Sequence, residues 1–414
     1  MAQGATVDGT WGQRWRLGPS GVGYLVALAV LGLIYLPAAW TGVAGSGQTA
    51  GPQLPASIAP YSWYTGMLST DHFDAATLKY QNGVGVEFMD DPQSVLLSAD
   101  GRTYRRLDQA ENATIIEDQG DPAFSVLSPD GTFVVVGSSG RVGAVQVVRL
   151  RDGHVREVVV GRGRAALPLA IGADGRTLLI GTSDDVVNRY GDEDSVGLAR
   201  LDLQTRALQQ YPAVTGVWAA ALSPDNSRIT VATNRGAQLV DATSGRVTAT
   251  LASTSEVSLD GDAWSADGAS VALVTGSSLV VADVSGPQPE LRRHLLMPDS
   301  GTVIGWRDAS TVLVHAFTDT SDNTSALYWV DVNSGDTETI ASYAPNFTGA
   351  SMLGVDAARD LIPRWHVGPQ PVDRGPLPLY VDLLPLGAGV LVAAAVGWVA
   401  ARLYGLAQPR DLPW

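Results

Sequence analysis

The side chains of this chain best suited to chemistry are carboxylates gathered in two polar stretches. One is TSDDVVNRYGDEDS (182–195), with Asp184, Asp185, Asp192, Glu193 and Asp194; the other is FTDTSDNTS (317–325), with Asp319 and Asp322. Two shorter acidic groups lie between apolar segments: Glu117, Asp118 and Asp121, then Glu256, Asp260 and Asp262. Such acids suit three roles: a solvated rim that keeps the protein soluble, a docking surface for a basic partner protein or envelope polymer, or a calcium site built from clustered oxygens. The run DEDSVG (192–197) departs from the D-x-D-x-D-G calcium loop, with Val196 at its fifth position. No metal or other cofactor is expected, calcium being the one candidate. Adjacent pairs such as Asp90-Asp91 and Asp184-Asp185 carry no information on carboxylate separation, so they do not support glycosidase chemistry.

Other chemistries fail on residue type. With no cysteine there is no thiolate nucleophile, disulfide framework, iron–sulfur cluster, cysteine-rich zinc site or lipidated-cysteine anchor. Lys79 is the only lysine, so a phosphate-binding Gly-Lys loop is excluded and a Schiff base has one candidate. No G-x-S-x-G elbow occurs, and His72, His154, His294, His315 and His366 are scattered without an H-E-x-x-H pair. His315, beside the 317–325 stretch, is either a packed structural histidine or a lone ligand. The expectation is a protein that is not an enzyme.

What must position these residues is a repeat. Strand–turn–strand units recur as LKYQNGVGVEF, SVLSPDGTFVVVG, LAIGADGRTLLIG, AALSPDNSRITVA, DAWSADGASVALV, IGWRDASTVLVHA and LGVDAARDLIPRW. Their turns centre on Asn82, Asp130, Asp174, Asp225, Asp267, Asp308 and Ala357, at intervals of 41 to 51 residues, a period that belongs to four-stranded propeller blades. A second hairpin follows each of the first six, as in VVRLRDGHVREVVV and QLVDATSGRVTATL, with Asp-Gly or Ser-Gly where the turn needs positive φ. Seven blades are expected, six being the alternative, with residues around 58–66 completing the last one. Trp218, Trp264 and Trp306 recur near inner-strand ends, as core residues or as an aromatic channel lining.

SPDG at 128–131, SPDN at 223–226 and SADG at 265–268 resemble the repeats of WD-repeat-like and TolB-type β-propellers. Asp202, Asp241, Asp283 and Asp331 fall where WD repeats keep their Asp, although Leu201, Val240, Ala282 and Val330 replace the Trp before it. The resemblance implies an all-β propeller and no particular function. In such a disc the SPDG turns share one face; the second-to-third-strand loops and blade connections share the other, where function usually resides.

Two apolar runs flank the repeats: Val22 to Trp40, free of charge, and Pro385 to Tyr404, charged only at Arg402. Each is long enough to cross roughly 30 Å of hydrocarbon. The first also reads as a cleaved signal peptide, the second as a buried helix. Arg14 and Arg16 outnumber Asp8 before the first run, and Arg402 and Arg410 outnumber Asp411 after the second, so both termini are expected in the cytoplasm. The region between then carries more than the whole chain's net charge of −15. The expected order is a tail (1–20), a transmembrane helix (21–40), a linker (41–60), an extracytoplasmic propeller (61–366), a linker (367–382), a second helix (383–403) and a tail (404–414). Gly389, Ala393 and Gly397 with Gly23 and Ala27 would let the helices pair closely.

Scarce lysine beside abundant Arg, Ala and Gly suggests a GC-rich bacterial genome. The leading reading is a non-catalytic platform in a bacterial cytoplasmic membrane. It would meet membrane or envelope proteins through its loop face and the helix pair. The alternatives are a propeller-type enzyme (a lactonase or other metal-dependent hydrolase) with its site in the central channel, or a ligand sensor. Nucleic acid is not expected against an acidic external domain.

Overall fold

The computed structural model describes residues 51–375, apart from 86–90, 189–195, 255, 287 and 297–300, together with Ala395, Trp398 and Val399. The chain divides into two units, Thr49–Pro376 and the combined terminal segments Met1–Gln48 and Leu377–Trp414. Of the terminal unit, Ala395, Trp398 and Val399 are helical and exposed. Both expected membrane helices otherwise lie outside the described residues, among which no helix is long and apolar enough to cross a membrane.

Thr49–Pro376 is a ring of six antiparallel sheets. Blade 2 runs Ser125–Leu127, Phe133–Val136, Ala144–Arg149 and Val155–Val159 from the axis outward, and blade 3 runs Ala165–Ile171, Thr177–Ser183, Gly197–Asp202 and Leu208–Thr215. Blades 4 and 5 repeat the plan from Val217–Leu222 to Val247–Ala252 and from Val257–Ser258 to Glu290–Leu296. Blade 6 spans Gly301–Trp306 to Thr337–Tyr343 and gains Ser57–Ile58 as a parallel fifth strand. Inner strands such as Ala165–Ile171 are buried at every position, whereas Val155–Val159 and Val247–Ala252 alternate with solvent, as their sequences require. The core is divided among the seams: one apolar cluster joins blades 1 and 2, and others join each following pair round to blades 6 and 1.

The expected seventh blade does not exist. Met352–Ala357, taken from sequence as the start of a further unit, is the inner strand of blade 1 and pairs antiparallel with Ala76–Asn82. Blade 1 then continues with Gln93–Ser98 and Tyr104–Arg106, so its first apolar stretch is a second strand rather than a hairpin centred on Asn82. The C-terminal strand closes the ring. The N-terminal segment thickens blade 6 instead and lies beside the exit, with Gln53–Pro55 parallel to His366–Gly368.

The SPDG turns are self-contained. The Ser128 and Ser223 hydroxyls donate to Asp130 and Asp225 at 2.8 and 2.6 Å, and each serine oxygen accepts the amide five residues on. Asp202, Asp241 and Asp331 accept amides of the turn that follows them, so each caps the third-to-fourth-strand connection of its own blade. Trp264 and Trp306 fasten neighbouring blades, their indole N–H groups donating to the carbonyls of Ala221 and Ala263 at 3.3 and 2.9 Å. Trp306→Phe keeps most of the packing but removes one of the two hydrogen bonds at the Ala263 carbonyl, which still accepts the Ala272 amide at 2.9 Å. It is expected to cost about 1 kcal/mol, measured by denaturant unfolding, and an unchanged midpoint would refute this role for the indole.

Candidate functional site: the channel and the loop face

Inner strands from five blades converge on a cavity of about 310 Å³ on the axis, lined by Asp356, Phe124, Leu169, Trp218, Asp260 and Lys79. Lys79, on the second strand of blade 1, is the register partner of Asp356 on the inner strand. Both reach across the seam to blade 2: the Lys79 ammonium donates to the Ser125 carbonyl at 2.5 Å, and the Asp356 carboxylate accepts the Leu127 amide at 2.6 Å. Toward the SPDG face a second cavity, about 280 Å³, is lined by Asp262, Arg359, Asp360, Trp264 and Trp306. Asp262 forms an ion pair with Arg359 at 3.2 Å, and Arg359 also donates to the Ile171 carbonyl across the axis.

These acids crowd one another in a poorly solvated place, which disfavours their charged forms. Burial pushes Asp260 well above the usual carboxylate range, the Asp356 and Asp262 carboxylates push it further, and Lys79 opposes them. Burial likewise raises Asp356 against the pull of Lys79. Asp262 is pushed up to about 7 by burial, with Arg359 opposing and Asp356 and Asp360 adding to the rise. The channel is therefore a place where a carboxylic acid keeps its proton near neutral pH beside an ammonium and a guanidinium.

Of the acids singled out from sequence, Asp260 and Asp262 turn into this channel rather than onto a rim. Asp118 and Asp121 are buried braces: Asp118 accepts the Ser139 hydroxyl, and Asp121 accepts the Gln81 amide and the Gly85 N–H. Asp184 sits on the loop face in an ion pair with Arg164 at 2.5 Å, with Asp185 exposed beside it. Asp319 caps Ser321, and Asp322 is exposed in the same turn. These two pairs belong to blades 3 and 6, on opposite sides of a six-membered ring, so the structure does not bring them together. Asp192, Glu193 and Asp194 lie outside the described residues. His315 is buried between Thr302 and Leu327 and stacks edge-on against Phe317; burial lowers it to about 4, so the imidazole is neutral. Among the described residues no three His, Asp or Glu side chains group as a metal site.

The loop face also presents apolar side chains that sequence reasoning missed. Ile116 is 92% exposed and Val142 64%, with Val186 exposed nearby. Their loops are knitted together through Ser139, whose hydroxyl donates to Asp118 and whose carbonyl accepts the Val187 amide. Trp63 and Phe347 form a separate exposed aromatic pair on the same face, with the exposed Tyr64 next to Trp63 in the chain.

The strand pairing thus defines the described unit as a six-bladed β-propeller. Among solved structures the chain is similar to TolB from Acinetobacter baumannii, at 16% identity over 69% of this chain and 68% of that one, with a TM-score of 0.47. A protein assigned as TolB from Agrobacterium tumefaciens is similar at 14% identity over 68% and 99%, with a TM-score of 0.41. A chain of a nidogen–laminin complex follows at 10% identity over 69% and 99%, with a TM-score of 0.43. No protein-family model and no curated protein sequence matches the chain. The likeness concerns the fold, which the strands establish by themselves.

Proposed function

We propose that this chain holds its propeller outside a bacterial cytoplasmic membrane and works there as a non-catalytic docking platform for membrane or envelope proteins. The observation that supports this reading is the asymmetry of the disc. One face ends in short turns whose polar groups satisfy themselves; the other carries Ile116, Val142 and Val186 at loop tips cross-braced by buried hydrogen bonds. Apolar tips on a rigid frame leave water on contact with a partner and lose little conformational freedom in doing so.

A photo-crosslinking amino acid placed at Ile116 or Val142 in native membranes is expected to give discrete adducts, and one at the exposed Thr205 on the turn face to give none. Equal adducts from both faces, or none from the loop face, would defeat the platform reading. The Lys79–Asp356–Asp260 cluster favours a second reading, a sensor or enzyme working in the channel. Calcium titrated into the purified chain discriminates: docking expects no saturable rise in melting temperature. A rise of several degrees, abolished by Asp260→Asn, would favour the channel.

A further inference from the structure

We infer that the aromatic patch at the seam of blades 6 and 1, formed by Trp63, Tyr64 and Phe347, docks a cationic, apolar peptide segment of a partner protein; this rests on the platform reading and names the partner's chemistry. Trp63 bridges the group, its ring 5.8 Å from that of Phe347 and 5.8 Å, edge-on, from the buried Tyr61. Phe347 is 84% exposed, whereas Tyr61, Tyr80, Tyr104, Trp329 and Tyr343 on the same seam are buried.

The patch is built stiff. Asn346 at the base of the Phe347 turn donates to the Tyr61 carbonyl and accepts from Thr348, and the buried Tyr343 hydroxyl donates to the Ala350 carbonyl. On the Trp63 side, Arg374 donates to the Pro60 carbonyl and the Thr65 hydroxyl. An aromatic group held ready in water is what binding hot spots are made of, because little rotamer freedom remains to be lost.

Charge selects the occupant. On one side Asn323 donates to the Gly349 carbonyl, which ties the exposed Asp319 and Asp322 turn to the Phe347 turn. On the other, the Tyr61 hydroxyl donates to the carbonyl of Asp91, whose side chain is 77% exposed. The nearby cations are engaged: Arg106 is held closely by Glu111 at 2.6 Å and more distantly by Asp91 at 3.9 Å, and Arg374 by the contacts just described. An apolar centre with an acidic border repels an anionic lipid surface and a second copy of the same patch. It attracts arginine or lysine, whose heads can meet the carboxylates or lie on the ring faces while apolar neighbours cover Phe347.

The probe is a fluorescein-labelled eight-residue peptide interleaving arginine with phenylalanine, titrated by polarisation against the full chain in zwitterionic nanodiscs. Saturable binding is expected, weakened about tenfold by Phe347→Ser. Asp319→Asn with Asp322→Asn should weaken it about fivefold at low salt and flatten its salt dependence. All three positions are exposed, so the variants should melt with the parent. Equal binding by Phe347→Ser would overturn the inference, as would equal binding of a glutamate-for-arginine peptide. Anionic vesicles engaging the patch in place of the peptide, or self-association lost in Phe347→Ser, would overturn it too. If crosslinks still form at Ile116 and Val142 in that event, the platform survives and only the aromatic patch fails.

Discussion

Gly131→Ala is expected to destabilise the propeller by about 3 kcal/mol or more, whereas Gly175→Ala, the same substitution in the same turn one blade on, costs about 1 kcal/mol. Both glycines have positive φ, +74° and +62°, so both pay the local penalty for a side chain there. Only Gly131 faces a neighbour. A Cβ at 131 would stand 2.1 Å from the Ala76 carbonyl oxygen and 3.2 Å from the Ala358 Cβ, while one at 175 meets nothing within 4 Å. The surroundings of Gly131 are the place where the ring closes. Ala76 donates to the Gly131 carbonyl at 2.8 Å, and Asp360 donates to the Pro129 carbonyl at 3.0 Å. The turn is thus clamped between the start of the second strand of blade 1 and the exit of its inner strand. Thermal or denaturant unfolding of the two variants measures the difference directly, and equal losses would mean that closure does not bear on this contact.

Stability is expected to fall as pH rises from about 4 to about 7, the reverse of the usual acid loss. Over that interval an unfolded Asp262 has released its proton, while the folded one, raised to about 7, still holds it. The folded state then binds more protons than the unfolded state, so the slope of stability with pH is negative there. Asp260 and Asp356 are raised in the same direction and steepen the effect. The contribution of Asp262 is on the order of 2–4 kcal/mol, since one pKa unit corresponds to about 1.4 kcal/mol and its side chain is only 12% exposed. Below about pH 4 the sign reverses, because turn aspartates such as Asp225, held down at about 2 by the Ser223 and Ser227 hydroxyls, lose bonds they accept only when charged. Maximum stability therefore falls in mildly acid solution. Asp262→Asn should narrow the gap in melting temperature between pH 5 and pH 8. A parental slope in that variant, or a flat parental profile, would exclude the channel acids as the cause.

The blades were legible because their turns are chemically rigid. An aspartate that accepts an amide of its own turn closes the turn on itself, so a strand pair can be read wherever it occurs, and Asp130, Asp174, Asp225 and Asp267 mark four blades directly. The blade count was not legible, because Met352–Ala357 looks locally like any other inner strand. Nothing in its neighbours reveals that its partner, Ala76–Asn82, lies far back in the chain. The channel site was hidden for a related reason, although it left one mark. At the second residue before the turn the inner strands of blades 2 to 5 carry the apolar Val126, Ala170, Ala221 and Ala263, and that of blade 1 carries Asp356. A carboxylate at a repeated small apolar position, on a strand that pairs with the only lysine, was the available signal. Asp260 and Asp262 appeared in sequence as linker acids, because a connection between blades reads alike whether it skirts the rim or dips toward the axis. The aromatic patch joins Trp63 and Tyr64 to Phe347 from opposite ends of the domain, a juxtaposition only ring closure creates.

The parallel pairing at the domain's ends has a mechanical consequence. Gln53–Pro55 enters beside His366–Gly368 in the same direction, and beyond it Asp373 and Arg374 accept the amides of Tyr104 and Gly66. Tension applied at residues 51 and 375 pulls these strands past one another along their length. Their hydrogen bonds then share the force together, instead of parting one after another as in an unzipping hairpin. The same bonds that fasten the ring should make it resist stretching from its ends, and a pulling experiment through those residues should find a high unfolding force, governed by the rate of unfolding rather than by equilibrium stability.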